Sequence, residues 1–217
     1  MFVALDTHQK VAVTGLEVQA TTDYNRKNST ADETRYRCIC CDAPLACTDE
    51  EATTPIEWFT HEHGHQECIS DGNMSMEHRL GQELVAMTLF NLLPTDRETT
   101  QIDLERRIGV NSEFLIADVR VTRPIQLAVE VMNLNPDLSL RRRLQTLFRE
   151  GYAGMVVVVT SGELSPTRIE RHLKKIGMIR VGRFNPQTLS LEFGSVVTPD
   201  RINLETPVWN RVPAYLS

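Results

Sequence analysis

Two groups of residues carry the chemistry open to this sequence. The first is a pair of acids in FLIADVRVTRPIQLAVEVMN, residues 114–133, where two apolar segments flank a Thr-Arg-Pro break and each holds one carboxylate, Asp118 or Glu130. Val119, Val121, Val129 and Val131 alternate with Asp118, Arg120, Ala128 and Glu130, the period of strands with two distinct faces. If the turn centres on Pro124, the two acids are equidistant from it, and an antiparallel register sets them opposite each other with Cβ atoms roughly 5 Å apart. Like charges at that distance repel, so the pairing asks for a cation between them. A register slipped by one residue would leave both groups solvated instead.

The second group falls within residues 38–68, which hold Cys38, Cys40, Cys41, Cys47, His61, His63, His65 and Cys68. Cys38 and Cys41 have the C-x2-C spacing that lets one tight turn present two thiolates to a tetrahedral ion, and His61 and Cys68 supply a second pair. That set makes a zinc site of three cysteines and one histidine. His63 or His65 is an alternative to His61, and Cys40 or Cys47 to a neighbouring thiol. With all four positions taken by protein, such a metal is structural, and the acidic surroundings argue against a finger that grips phosphates.

The elements that must position these groups follow from periodicity. MFVALD and VAVTGLEV, separated by THQK, read as a strand pair, and the polar stretch 21–33 as a loop. Residues 75–93 have helical spacing, with Met76, Leu80, Leu84, Met87 and Phe90 on one stripe and Pro94 as a stop. Glu83 lies inside that stripe, where a carboxylate is costly unless paired, hydrogen-bonded or near a metal. It is therefore a candidate third acid of the site, against a reading in which it snorkels out to solvent. Residues 101–108 suggest a strand, and an Arg-rich helix introduced by Pro136 and Ser139 stops at Gly151. MVVVVT, residues 155–160, is the apolar run of a buried central strand. Ser165, Pro166 and Gly177 delimit another helix. Strands at 178–183 and 188–193 close the sheet, and 206–217 reads as a docking tail.

The chain has 217 residues with a formal net charge of -6, and its 41% hydrophobic and 24% charged content is ordinary for a soluble globular protein. No stretch reads as a signal peptide or a bilayer span, so an intracellular, cytoplasmic location is expected. In a reducing compartment, five cysteines point to metal ligation or burial before disulfides. The charge is divided: residues 1–78 hold 5 basic and 14 acidic side chains, residues 139–183 hold 10 basic and 3 acidic. A nucleic-acid partner needs a local positive surface rather than a positive total. Arg141, Arg142, Arg168, Arg171 and Lys175 are the candidate contacts, against a reading as solvated helix faces.

The order of elements is zinc module, helix, three strands, helix, strand, helix, strands, with the two acids in the second and third strands of an αβββαβ core. This resembles the restriction-endonuclease-like PD-(D/E)xK nuclease superfamily and, more narrowly, the competence protein CoiA-like family. The resemblance rests on the N-terminal MFVALD, the Cys38 and Cys41 pair, Phe59-Thr60-His61 with Cys68, and Glu77-His78 opening the helix. It continues through Ala117-Asp118-Val119, Val129-Glu130-Val131 and Arg143, covering roughly the first 160 residues. The fold class it implies is a mixed α/β sheet of restriction-endonuclease type at 73–217, preceded by a zinc-ribbon-like module at 1–72.

The implied activity is metal-dependent hydrolysis of DNA phosphodiesters. Asp118 and Glu130 would hold Mg²⁺ or Mn²⁺, helped by the Val131 carbonyl and by Glu83 directly or through water, with Arg143 as a further catalytic residue. Expected partners are DNA and a second copy of the chain in a homodimer, with no membrane. The sequence departs from the pattern at Met132, where the superfamily has lysine and the CoiA-like family often glutamine; a thioether cannot stabilise developing phosphorane charge. Arg143, Arg141 or Gln126 would have to reach in. Leu147 likewise replaces a tyrosine often found four residues past the helix arginine. The second functional expectation is accordingly a nuclease-derived DNA-binding or scaffold protein without turnover.

Overall fold

The computed structural model describes residues 2–18, 35–39, 41–47, 59–61, 74–93, 100–109, 114–133, 138–160 and 179–197. The helix expected at 165–177, the tail at 206–217, and Cys40, His63, His65, Cys68, Arg168, Arg171 and Lys175 lie outside them.

The N-terminal segment pairs as a hairpin, β1 (Val3–Asp6) running antiparallel to β2 (Val11–Thr14) with Val3 opposite Thr14 and Asp6 opposite Val11; the second strand, expected over 11–18, ends at Thr14, and residues 15–18 are helical instead. Asp6 closes the turn between them by accepting the N–H groups of His8 at 2.9 Å and Gln9 at 3.1 Å, as a short carboxylate can. β3 (Tyr36–Arg37), β4 (Pro44–Cys47) and β5 (Phe59–His61) extend this pair into a five-stranded antiparallel sheet ordered β2-β1-β3-β4-β5. The N-terminal hairpin and the cysteine-rich segment thus form one sheet.

Helix α1 (Met76–Leu92) starts where Ser75 Oγ accepts the His78 N–H at 3.3 Å, satisfying one of the amides a helix start leaves open. Its apolar stripe is buried on two sides. Leu80, Leu84, Val85, Ala86 and Leu89 share one core with Phe2, Val3, Leu5 and Ala12 of the small sheet and with the valines of a second, larger sheet. Each fully buried Leu or Val in such a core contributes roughly 1.5–3 kcal/mol relative to exposure.

The larger sheet has six strands in the order β11-β10-β9-β8-β7-β6: β6 (Gln101–Ile108), β7 (Leu115–Arg123), β8 (Leu127–Asn133), β9 (Ala153–Val159), β10 (Ile179–Asn185) and β11 (Ser190–Val197). β8, β9 and β10 are parallel and the other pairs antiparallel. β9 is buried along its whole length, the environment its run of valines predicts. Helix α2 (Leu138–Arg149) covers the face opposite α1, packing Leu140, Leu144, Leu147 and Phe148 against Ala128, Val156, Val158 and Ile179. Leu147 is therefore a core residue. At Gly81 an added Cβ would stand 2.9 Å from Val131 Cγ1 and 3.2 Å from Phe184 Cδ1, so the missing side chain lets α1 close onto β8 and β10. The molecule is a mixed α/β structure with two sheets. No helix among the described residues is long and apolar enough to cross a membrane.

Two irregularities in the larger sheet set the positions of Asp118 and Glu130. β7 and β8 pair only from Val121↔Leu127 to Val119↔Val129, after which β7 continues beside β6 and β8 beside β9. The strands fork one step before Asp118 and Glu130. In addition, β6 and β7 exchange faces at a single rung. Ile102, Leu104, Val119 and Val121 enter the core under α1, whereas Ile108, Leu115 and Ala117, at the same parity, enter the core under α2. The rung where the exchange occurs lies between Leu104↔Val119 and Arg106↔Ala117, and its residues are Glu105, at φ 49°, and Asp118. A side chain at a face exchange is not committed to either core.

Candidate metal centres

Asp118 sits at the fork with both oxygens engaged. Oδ2 accepts the main-chain N–H of Val131 at 2.6 Å, and Oδ1 faces the first two turns of α1, 3.5 Å from His78 Nε2 and 3.3 Å from Gln82 Nε2. Glu130 is 3% exposed on the neighbouring strand. Arg143 of α2 donates to its Oε2 through Nε at 2.7 Å and Nη2 at 2.5 Å, and also through Nη2 to Ile116 O at 2.7 Å. Both contacts to Glu130 fall on the same carboxylate oxygen. Oε1 of Glu130 is buried and has no hydrogen-bond partner among the described residues.

Burial, reinforced by the Asp118 charge, pushes the Glu130 carboxyl up to about 8 in spite of Arg143. The ion pair is real in geometry but one-sided, and a carboxylate desolvated beside a second carboxylate resists ionisation when no further cation is present. The hydrogen bond to Asp118 holds the His78 imidazole above its ordinary value against the effect of burial, with Asp118 and Glu105 charge adding to it. Burial, together with Asp118, raises Glu105 as well, opposed by the Gln82 amide.

His78, Glu105 and Asp118 each offer a ligand atom, and these lie within 4.8 Å of one another. Gln82 stands among the three, its Nε2 3.0 Å from His78 Nε2, 3.3 Å from Asp118 Oδ1 and in contact with Glu105 Oε1. Sequence reasoning assigned no role to His78, Gln82 or Glu105. His78 and Gln82 leave a weak signal, a polar pair spaced i, i+4 in the first turns of the helix, beside the Glu77-His78 opening. Glu105 leaves none, because the exchange of faces that aims it is not a local property.

The expected residues fall differently. Asp118 and Glu130 flank the fork, and Arg143 meets Glu130 as the helix following the hairpin allows. Glu83 is buried but is not a member of the group. Its Oε2 accepts the N–H groups of Phe2 at 2.7 Å and Val3 at 3.1 Å, and Oε1 accepts from Arg79 Nε at 3.3 Å. The cost of burying this acid is offset by tying down the N-terminal strand, which removes it from the group at the fork. Val131 meets Asp118 through its N–H. Met132 packs its side chain against the core under α2, and Gln126 is exposed beside Gly151. Arg141 and Arg142 are exposed on α2.

The second centre lies in the small sheet. Cys38 and Cys41 flank the turn from β3 to β4, where Cys38 N donates to Ala43 O, Asp42 N donates to Cys38 O, and Asp42 adopts φ 61°. β5 brings His61 alongside Leu45, placing His61 Nε2 3.3 Å from Cys41 Sγ. Ligand atoms of Cys38, Cys41 and His61 lie within 4.8 Å of one another, a cluster that could hold a metal. Ligands about 2.0–2.3 Å from a shared tetrahedral ion are themselves about 3.3–3.8 Å apart, a separation that Cys41 and His61 already have. Cys47 is exposed on β4 and outside the cluster. Compared with protein-family models, curated proteins and solved structures, the chain matches none.

Proposed function

We propose that the chain is a divalent-cation-dependent DNA nuclease built on a restriction-endonuclease-like core, with a structural zinc ion in its N-terminal sheet. The observation that carries this reading is the unpartnered, buried Oε1 of Glu130 at a strand fork that also holds Asp118. An orphaned buried carboxylate oxygen beside another acid is explained by a missing cation.

Asp118 and Glu130, with His78 adjacent, would hold a Mg²⁺ or Mn²⁺ ion, which would supply Lewis acidity toward a phosphodiester and make water more acidic. The chain's own residues organise the site around it. The Val131 N–H orients Asp118 so that Oδ1 faces α1. Arg143 fixes Glu130 by Oε2 and leaves Oε1 open to an ion. Exposed Arg141 and Arg142 on the same helix present positive charge to flanking phosphates. In the small sheet, Cys38, Cys41 and His61 would hold zinc, with Cys68 as the fourth ligand.

A second reading is favoured by Met132, whose packing against the α2 side of the core takes the lysine position out of chemistry. It makes the chain a DNA-binding protein of nuclease descent without turnover. One experiment separates the two. Purified protein is incubated with labelled single-stranded, double-stranded and branched DNA in Mg²⁺ or Mn²⁺, beside Asp118→Ala and Glu130→Ala. Cleavage abolished by either substitution supports the nuclease; cleavage indifferent to both removes this site as its source. DNA binding without cleavage supports the second reading.

A further inference from the structure

We infer that Glu105 is a direct ligand of this cation, and that the Gln82 amide holds the cation's place among Glu105, Asp118 and His78 in its absence. The inference rests on the proposed cation dependence and adds to it a third acid from a different strand.

Three observations lead to it. The rung at which β6 and β7 exchange faces consists of Glu105 and Asp118, so neither side chain is spent on a core, and both reach the first turns of α1. The ring nitrogen His78 Nε2 and the carboxylate oxygens Glu105 Oε1 and Asp118 Oδ1 all converge on Gln82 Nε2. Two carboxylate oxygens and an imidazole nitrogen gathered around one position are a donor set that suits a divalent transition-metal ion. Independently, Glu130, 3% exposed, has an Oε1 without a hydrogen-bond partner among the described residues, and both Asp118 and Glu105 act electrostatically on it.

The charges of the group also balance with one divalent ion. Glu105 and Asp118 bring two negative charges, and a ligating imidazole, being neutral, adds none. Carboxylates suit Mg²⁺ and Mn²⁺ alike, whereas an imidazole nitrogen favours the transition metal, so the site should select Mn²⁺ over Mg²⁺. Rotation of the Gln82 side chain frees the position on binding.

The test is a Mn²⁺ titration of the full-length protein, read by the electron paramagnetic resonance of free Mn²⁺, with Glu105→Gln, Gln82→Ala and Asp118→Asn beside the unaltered chain. Glu105→Gln is expected to weaken Mn²⁺ binding by more than about tenfold, and Gln82→Ala to leave it equal or tighter. Excess Mg²⁺ should displace Mn²⁺ only weakly. Thermal unfolding without added cation checks the fold: removing one of several neighbouring carboxylates should leave the Glu105→Gln midpoint at or above that of the unaltered chain. If Glu105→Gln binds normally while Asp118→Asn does not, Glu105 is no ligand, and the nuclease reading stands without it. Weaker binding by Gln82→Ala overturns the place-holding role. Absence of Mn²⁺ binding by the unaltered chain overturns this inference and the cation-dependent reading together.

Discussion

The Asp118 carboxylate accepts the main-chain N–H of Val131 at 2.6 Å, so a side chain of β7 occupies a backbone donor of β8 just where the two strands part. The same residue that faces the proposed cation therefore also seals the fork. Asp118→Asn retains an oxygen for Val131, while Asp118→Ala leaves the buried N–H without an acceptor, a loss of about 1–3 kcal/mol. Urea unfolding should show the alanine variant less stable than the asparagine variant by that amount. Both should lose DNA cleavage by more than about 100-fold, beyond the effect usual for residues outside the metal's ligand set.

Glu83 should behave in the opposite way. Its carboxylate serves the N–H groups of Phe2 and Val3 and the Arg79 side chain rather than the groups at the fork. Glu83→Ala is expected to lower stability by roughly 1.5–3 kcal/mol, the range for hydrogen bonds to a charged group. Cleavage per folded molecule should stay within about threefold of the unaltered rate, the scatter common for a residue without contact to the reaction. A large fall in cleavage at full folding would return Glu83 to the site.

The acid limb of stability has a specific contributor in Asp6. Burial alone would raise its carboxyl, but the Arg35 guanidinium, at 2.8 Å, and the N–H groups of Gln9 and His8 outweigh burial and hold it below the usual carboxylate range. A group depressed in the folded state contributes stability that is present above its unfolded value, near 3.9 for a free aspartate, and is lost as pH falls through the folded value. Asp6→Asn should flatten the decline in the urea midpoint between about pH 5 and the acid transition. An unchanged slope would place the acid sensitivity elsewhere.

Metal removal tests the small sheet. Elemental analysis should find one zinc per chain, lost on Cys38→Ser or Cys41→Ser. Stripping it with a chelator should lower the thermal midpoint, because Cys38 also lies in the core formed by Ala4, Val18, Leu45 and Phe59. Cys47→Ser, exposed and outside the cluster, should keep the metal.

Local pattern carried much of the fold. The period of two in residues 114–133, the helical stripe of 75–93, the valine run of β9 and the strand pair in the first 18 residues each follow from neighbours a few residues apart, and each element is near where its pattern put it, except that β2 stops at Thr14 and residues 15–18 are helical. The hairpin register, symmetric about Pro124, was legible for the same reason. Asp118, Glu130 and the Cys38 and Cys41 turn were therefore visible as chemistry in the sequence alone.

What the tertiary structure decided is which groups meet. Glu83 has the sequence context of a site residue, yet the strand from the chain's start claims it. Glu105 has the context of a charged strand end, yet a left-handed residue at φ 49° and an exchange of faces turn it toward His78 and Asp118. Spacing along a chain sets which face of an element a side chain occupies. Which distant donor reaches a buried carboxylate is set by how the elements pack, and that selection separated the acid that anchors β1 from the acids that meet at the fork.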